Sequence, residues 1–159
     1  MLARLPAPLH RLALKLAHAA RLAWWSLRRP ELLGCNVIAA DPRGRVLLVR
    51  HSYQSPGKWM LPGGGLARGE QAEDAARREL QEETGCRLTG ANCFAVEVVE
   101  LAGASNHIHL VSGQTFDEPR PDQREILAAR FFAPDALPEA ITRSARARIE
   151  RWLAQNSAS

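Results

Sequence analysis

Three carboxylates, Glu79, Glu82 and Glu83, stand at i, i+3 and i+4, with glycines before them at 63–65 and after them at Gly85. On a helix of 3.6 residues per turn those positions share one face. Like charges that close repel and cost stability, so a chain that keeps them has a counter-charge to place there. Hard oxygen ligands favour Mg²⁺ or Mn²⁺. Any fold of this chain has to present that acidic helical turn beside the glycine bend.

The fixed positions extend further. Gly64 is followed by Glu70, then Arg78-Glu79-Leu80, then Glu82-Glu83, then Gly85-Cys86. This spacing resembles the signature of the Nudix hydrolases (MutT-like proteins), and all seven of its invariant positions match. Seven such matches arise by chance on the order of once in 10⁹ start positions, which leaves little room for an ordinary surface helix laced with charge pairs. One departure is Cys86, where the family has a bulky aliphatic residue. Cysteine behaves as a small buried hydrophobe, so the departure is mild.

The resemblance implies a fold, an activity and roles. The fold is α/β, a mixed sheet sandwiched between helices, over about residues 31–155. Residues 1–30 add an N-terminal amphipathic helix, and 156–159 are a tail. The activity is metal-dependent hydrolysis of the pyrophosphate linkage in a nucleoside diphosphate derivative or a nucleoside triphosphate. Glu82 and Glu83 are then metal ligands, and Glu79 binds metal or acts as base. Arg78 is expected to hold the Glu79 carboxylate by a charge-assisted hydrogen bond. Glu70 ties the loop to the helix, and Gly85 ends the helix. Gly63 and Gly64 let backbone approach metal and phosphate where a Cβ would obstruct. For a carboxylate outside the motif Glu125 is the first candidate, with Glu97, Glu100 and Glu118 as alternatives. Magnesium is the expected cofactor, with manganese as the substitute.

Nucleoside recognition is less determined. Trp59 and Tyr53, with His51 beside them, precede the glycine loop; an aromatic there either stacks on a base or belongs to the core. His107 and His109 alternate on one strand face, as substrate contacts or as satisfied histidines. Two other function classes stay open: a nucleotide sensor without turnover, and a membrane-surface protein acting through its N-terminal helix.

Length and composition are those of one soluble globular domain: 159 residues, 46% apolar and 24% charged. Cys35, Cys86 and Cys93 lack metal-type spacing, and their apolar surroundings favour packing over nucleophilic chemistry. They predict a reducing, cytoplasmic setting. The net charge of +4 is unevenly spread. Residues 1–30 carry six basic side chains and no acidic one, whereas 31–142 hold eleven basic and sixteen acidic. An acidic middle excludes a nucleic-acid-binding domain by composition.

Along the chain, residues 8–28 have helical periodicity, with Leu9, Leu12, Leu16, Ala19, Ala20, Ala23 and Leu27 on one stripe. Arg11, Lys15 and His18 lie opposite, with Leu14, Leu22 and Trp25 among them, and Pro30 is expected to stop the helix. The stripe would pack on the domain or on a second copy in a homodimer. Alternatively, Trp24 and Trp25 would sit at a membrane surface, or the basic side chains would meet nucleic acid. Residues 35–40 and 45–50 predict a hairpin around Asp41-Pro42-Arg43-Gly44. Short strand 58–61 leads to the glycines, and a helix spans about 71–84 without a side-chain cap at Gln71. Strands follow at 93–101, 107–116 and 125–132, then a helix over 141–155.

Overall fold

The computed structural model describes residues 7–28, 31–101 and 104–157. The elements in chain order are α1 (Ala7–Arg28), β1 (Glu31–Ala40), β2 (Val46–His51), β3 (Gly63–Gly65), α2 (Ala72–Thr84), β4 (Thr89–Leu101), β5 (Ala104–Gln114), β6 (Ile126–Phe132), a 3₁₀ turn at Pro134–Ala136, and α3 (Arg143–Asn156). One mixed sheet runs β4-β5-β1-β2-β6, with β3 paired to β1. Its one parallel pairing among these strands joins β1 to β5, from Glu31 opposite Ser105 to Ala40 opposite Gln114.

The period of two in β1 and β2 explains the layering. Val37, Ala39 and Leu47 face α2, where they pack with Ala72, Ala75, Ala76 and Leu80. Ile38, Val46 and Leu48 point the other way, toward Ile141, Ala145 and Ile149 at α3. Strands buried on both faces read as continuous apolar runs, as 46–49 does. The small alanines on α2 let the helix lie close over the sheet. Cys86 is fully buried in the same cluster, the role expected of a small apolar residue there.

Helix α2 begins at Ala72 after an uncapped Gln71 and ends on Gly85, whose φ of 73° is the left-handed value that favours glycine. The turn between β1 and β2 is closed by Asp41, whose Oδ1 accepts from the Arg43 and Arg45 amides at 3.0 and 2.8 Å. Beyond that turn, however, β2 pairs with β1 only at Ala40 and Val46. The free edge of β1 turns instead to β3, with Gly34, Cys35 and Asn36 opposite Gly65, Gly64 and Gly63.

Three expectations change. Residues 58–61 form no strand; Met60 exchanges both backbone bonds with Val49, while Trp59 bridges to Ile141. Partners on two sides, one residue each, hold this segment extended without a ladder. The long strands start earlier than expected, at Thr89 and Ala104, because β4 and β5 form an extended antiparallel pair that carries polar residues. Finally, α1 turns its expected apolar stripe outward. Leu9, Leu12 and Leu16 are exposed, as are Ala19, Ala20 and Ala23, while Leu14, His18 and Leu22 are half-buried. The helix meets the domain through that second line, near β5 and Tyr53. The Trp25 and Leu27 side chains, Pro30, the bend at 102–103 and the last two residues lie outside what is described.

Candidate active site

The glycine bend is positioned by the sheet. Hydrogen bonds from the Leu66 amide to Leu33 O and from the Val37 amide to Pro62 O flank the β3 pairing, so the bend is bonded to β1 at both ends. A Cβ on Gly63 would lie 2.1 Å from the Cys35 carbonyl oxygen. A Cβ on Gly64 would lie 2.5 Å from all three atoms of the Glu79 carboxyl group. Glycine is required at both positions by close approach: the strand at Gly63, the acidic helix at Gly64.

Arg78 fixes the other side of that carboxylate. Its Nη1 donates to Glu79 Oε1 at 2.6 Å, its Nε and Nη2 donate to the two oxygens of Glu70 at 2.9 Å each, and Nη2 also reaches Gly65 O. Glu70 in turn accepts from the Ala67 amide at 2.7 Å. Those bonds hold the Glu70 carboxyl down at about 2, led by the Arg78 contact. One guanidinium thus joins the loop, the bend and α2, using the forked geometry that only arginine has. Arg78→Lys should therefore keep the fold but lower turnover about 10- to 100-fold, measured at saturating substrate, because an ammonium's donors radiate from one nitrogen and cannot span the acceptors that the guanidinium reaches from three.

Glu83 is the most enclosed of the three acids, with its side chain 12% exposed. It accepts from the Gly63 amide at 3.2 Å. Burial above all, then the charges of Glu79, Glu125 and Glu82, push its carboxyl up to about 8. Glu79 is also raised, chiefly by burial and against the pull of Arg78. Glu82 is the outermost, 61% exposed, with Arg78 at 3.6 Å. His51 Nε2 stands 3.6 Å from Glu83, but burial lowers the imidazole to about 4, so the pair carries no ionic attraction near neutrality.

These groups line one cleft of about 360 Å³. Glu79, Glu82 and Glu83 form its acidic side and the three glycines its edge; Asp122 and Glu125 come from the loop before β6 and Ile126 from its first position. His51, Tyr53 and Gln54 come from the end of β2, and Arg21 from α1. Of the four carboxylates considered outside the motif, Glu125 alone is in this cleft. Glu97 pairs with Arg148 at 2.9 Å, Glu100 accepts from Ser105, and Glu118 lines a separate cleft with Arg87 and Asp117. His109 is bonded to Gly34 O.

Trp59 is not in the cleft. It is 8% exposed, edge-on to Phe132 at 4.9 Å, with Arg50 over its ring at 5.0 Å. Of the two roles open to it, base stacking and core packing, this burial is that of a core residue. Tyr53 does line the cleft, between His51 at 5.7 Å and His18 of α1 at 5.9 Å. Sequence reasoning did not single out Arg21, Gln54 or Asp122. No local signal marks them, because each lies outside the spacing of the motif. The cysteines stay out of the chemistry, and burial pushes the Cys35 thiol up to about 11.

A NUDIX domain model matches residues 31–153. The chain belongs to the NUDIX hydrolase family. It is 28% identical over 130 residues to the NAD-capped RNA hydrolase NudC of Vibrio vulnificus, a match spanning 80% of this chain and 49% of that protein. An RNA pyrophosphohydrolase of Caulobacter vibrioides is 52% identical over 51 residues, 31% of this chain and 30% of that one. The chain spans about half the length of the NudC relatives it matches. Among solved structures, a MutT NUDIX hydrolase from Burkholderia pseudomallei superposes with a TM-score of 0.67 at 30% identity, covering 76% of this chain and 96% of that one. A UDP-X diphosphatase shares the fold with a TM-score of 0.60 at 22% identity, over 81% of this chain and 64% of that one.

Among the described residues no group of three or more His, Cys, Asp or Glu side chains stands close enough to hold a metal ion as arranged. The donor set nonetheless fits a hard divalent cation. Three carboxylates of α2 and Glu125 line one cleft, and the most buried of them is charged only at a cost that a cation would remove.

Proposed function

We propose that the chain hydrolyses the pyrophosphate linkage of a nucleoside diphosphate derivative or a nucleoside triphosphate, with Mg²⁺ as cofactor and Mn²⁺ as its substitute. The observation that carries this reading is the packing of the Glu79 carboxyl group against Gly64, with the Gly63 amide donating to Glu83. Backbone and acids thereby meet at one point of the cleft. Glu79, Glu82 and Glu83 would hold the cation, which when bound neutralises phosphate oxygens and acidifies water for attack.

The chain's own groups do the rest. Arg78 aims the Glu79 carboxylate, and Glu125 or Glu79 takes the proton of the attacking water. Gly64 lets the Glu79 carboxylate lie against the backbone at the cleft edge where the diphosphate would bind, and Tyr53 offers a ring to the nucleoside. Arg78, Glu79 and Glu125 are the catalytic set; Glu70, Gly63 and Gly85 hold the frame. A diphosphate linked to a second group fits the company of relatives named for NAD-capped RNA and for UDP-X. The domain of this reading is 31–155.

The test is a panel of nucleoside diphosphate derivatives and triphosphates with Mg²⁺, scored for released phosphate or monophosphate. Turnover of at least one compound, abolished by chelation, is expected. A flat response with tight ADP binding would transfer the reading to a nucleotide sensor, and a flat response without binding would end both.

A second reading concerns α1. Leu9, Leu12, Leu16 and Trp24 are each more than half exposed on a segment with no acidic residue. That face is suited to lie in an anionic lipid surface. Co-sedimentation with phosphatidylserine vesicles, lost on deleting 1–30, would support it. Concentration-dependent dimerisation instead would assign the face to a second copy.

A further inference from the structure

The glycine bend has no side chains of its own with which to pack. Strand β3 is three glycines, so its place is set by what stands on either side of it. On the α2 side Arg78 holds it, donating to Gly65 O and to the Glu79 carboxylate that lies against Gly64. The other side belongs to Asn36. This residue lies opposite Gly63 in the ladder and shares its strand face with Ile38, toward α3. A Cβ on Gly63 would lie 2.9 Å from Asn36 Nδ2 and 3.0 Å from Asn36 Cα.

The Asn36 amide is itself held. Its Oδ1 accepts from Arg148 Nη1, and its Nδ2 donates to Cys35 O at 3.1 Å. A guanidinium has donors only, so this contact decides which end of the amide is oxygen and turns Nδ2 toward the bend. Arg148 is 8% exposed, and its Nε donates to Glu97 Oε2 at 2.9 Å. Glu97 also accepts from Arg151, one helical turn on, at 3.3 Å. A guanidinium so enclosed is costly to desolvate, and here it is spent on an amide whose other end touches the bend. Neither Asn36 nor Arg148 lines the cleft. From Gly63 the path continues through its amide to Glu83 at 3.2 Å.

We infer that Arg148 and Asn36 are positioning residues: from the α3 face of the sheet they hold Gly63, and through its amide they set the place of the Glu83 carboxylate. This rests on the reading of the cleft as a diphosphate hydrolase. One arginine on each face of the sheet then fixes the bend, Arg78 directly and Arg148 through an amide.

The experiment compares full-length wild type, Asn36→Ala, Arg148→Met, Arg148→Lys, the Asn36→Ala/Arg148→Met double variant and Ile149→Val. Ile149 is fully buried next to Arg148 on α3, so Ile149→Val takes packing from the same contact and no polar group. The readouts are kcat and KM on the panel compound that wild type hydrolyses, calorimetric affinity for Mg²⁺ without nucleotide, and melting temperature. To these is added exchange of the Gly63 amide, followed by NMR in the metal-free protein. Asn36→Ala and Arg148→Met should each lower kcat about 10-fold with KM within about threefold. Each should also weaken Mg²⁺ about 10-fold and speed Gly63 exchange by about 10-fold or more. The double variant should be no worse than the poorer single one, because both act along one path, and Arg148→Lys should recover part of kcat. Ile149→Val should lower the melting temperature with kcat and Gly63 exchange within about twofold of wild type. If Arg148→Met fails to fold, Asn36→Ala and Arg148→Lys decide the matter on the same readouts.

Wild-type kcat and Gly63 exchange in Asn36→Ala, with panel turnover intact, would overturn this inference alone. So would a rise confined to KM, which would put the amide on the substrate, or additive losses in the double variant. Losses of kcat no larger than those of Ile149→Val at equal melting temperature would make the network structural and overturn it as well. A wild type that hydrolyses no panel compound overturns it together with the hydrolase reading.

Discussion

Glu83→Gln should abolish metal-dependent turnover, by about a thousandfold or more, and at the same time stabilise the metal-free protein. Both effects come from one buried carboxyl. Its value rises from 4.5 to about 8 on folding, mainly through burial. A group raised in this way gives its full stability below pH 4.5 and loses it as pH climbs toward 8. At pH 7 the shift costs the fold about 3 kcal/mol, because folding must draw a proton onto a carboxyl that is ionised in the unfolded chain. Glutamine is neutral at every pH and can still accept from the Gly63 amide.

Thermal melts in EDTA should therefore show the variant about 5–10 °C above wild type at pH 8 and level with it at pH 4. Magnesium should reverse the order for wild type alone, because metal uptake would draw the proton off Glu83. Wild-type affinity for Mg²⁺ should accordingly rise with pH between 6 and 8. Retained turnover in Glu83→Gln would remove that carboxylate from the chemistry.

Alanine at the two glycines should separate folding from activity. At Gly63 the new methyl would meet the Cys35 carbonyl at 2.1 Å with a φ of 152°. Both obstacles are backbone of paired strands, so Gly63→Ala should cost about 3 kcal/mol or more and show as a large drop in melting temperature. At Gly64 the methyl meets the Glu79 carboxyl group at 2.5 Å, the far end of a side chain rather than backbone. The carboxylate swings aside and the fold survives, within about 1 kcal/mol. Turnover should nevertheless fall about 10²-fold, because displacing a reacting group by an ångström has that effect. Full activity in Gly64→Ala would show that the direction of Glu79 is immaterial.

What the sequence made legible was local. Gly85 ends α2 where a left-handed residue was required, and Asp41 closes the first turn with its own side chain. The bonds from Arg78 to Glu79 and from the Ala67 amide to Glu70 lie where the family resemblance implied them. The alternation in 46–49 was too uniformly apolar to assign its two faces, which only the helices on either side distinguish. Long-range partners were hidden. Trp59 is adjacent to the bend in sequence, yet its ring is claimed by Phe132 and Arg50.

The face of α1 was hidden for a related reason. Its larger apolar stripe gives the stronger periodic signal, but the docked line is set by what the domain offers, a tyrosine ring and an acidic cleft. Amphipathicity identifies a helix and two faces; it does not say which face the neighbour will choose. Arg21 and Asp122 share this invisibility, since neither lies within the spacing of the motif.

The parallel ladder between β1 and β5 carries a consequence for the growing chain. Residues roughly seventy positions apart must find each other before the middle of the sheet closes. During synthesis β1 therefore waits with an unmatched edge until residue 114 has left the ribosome. Non-local pairing of this kind slows folding, and the apolar run 46–49 beside it is exposed to self-association meanwhile. Slow elongation and low temperature should favour soluble product when the chain is expressed at high level.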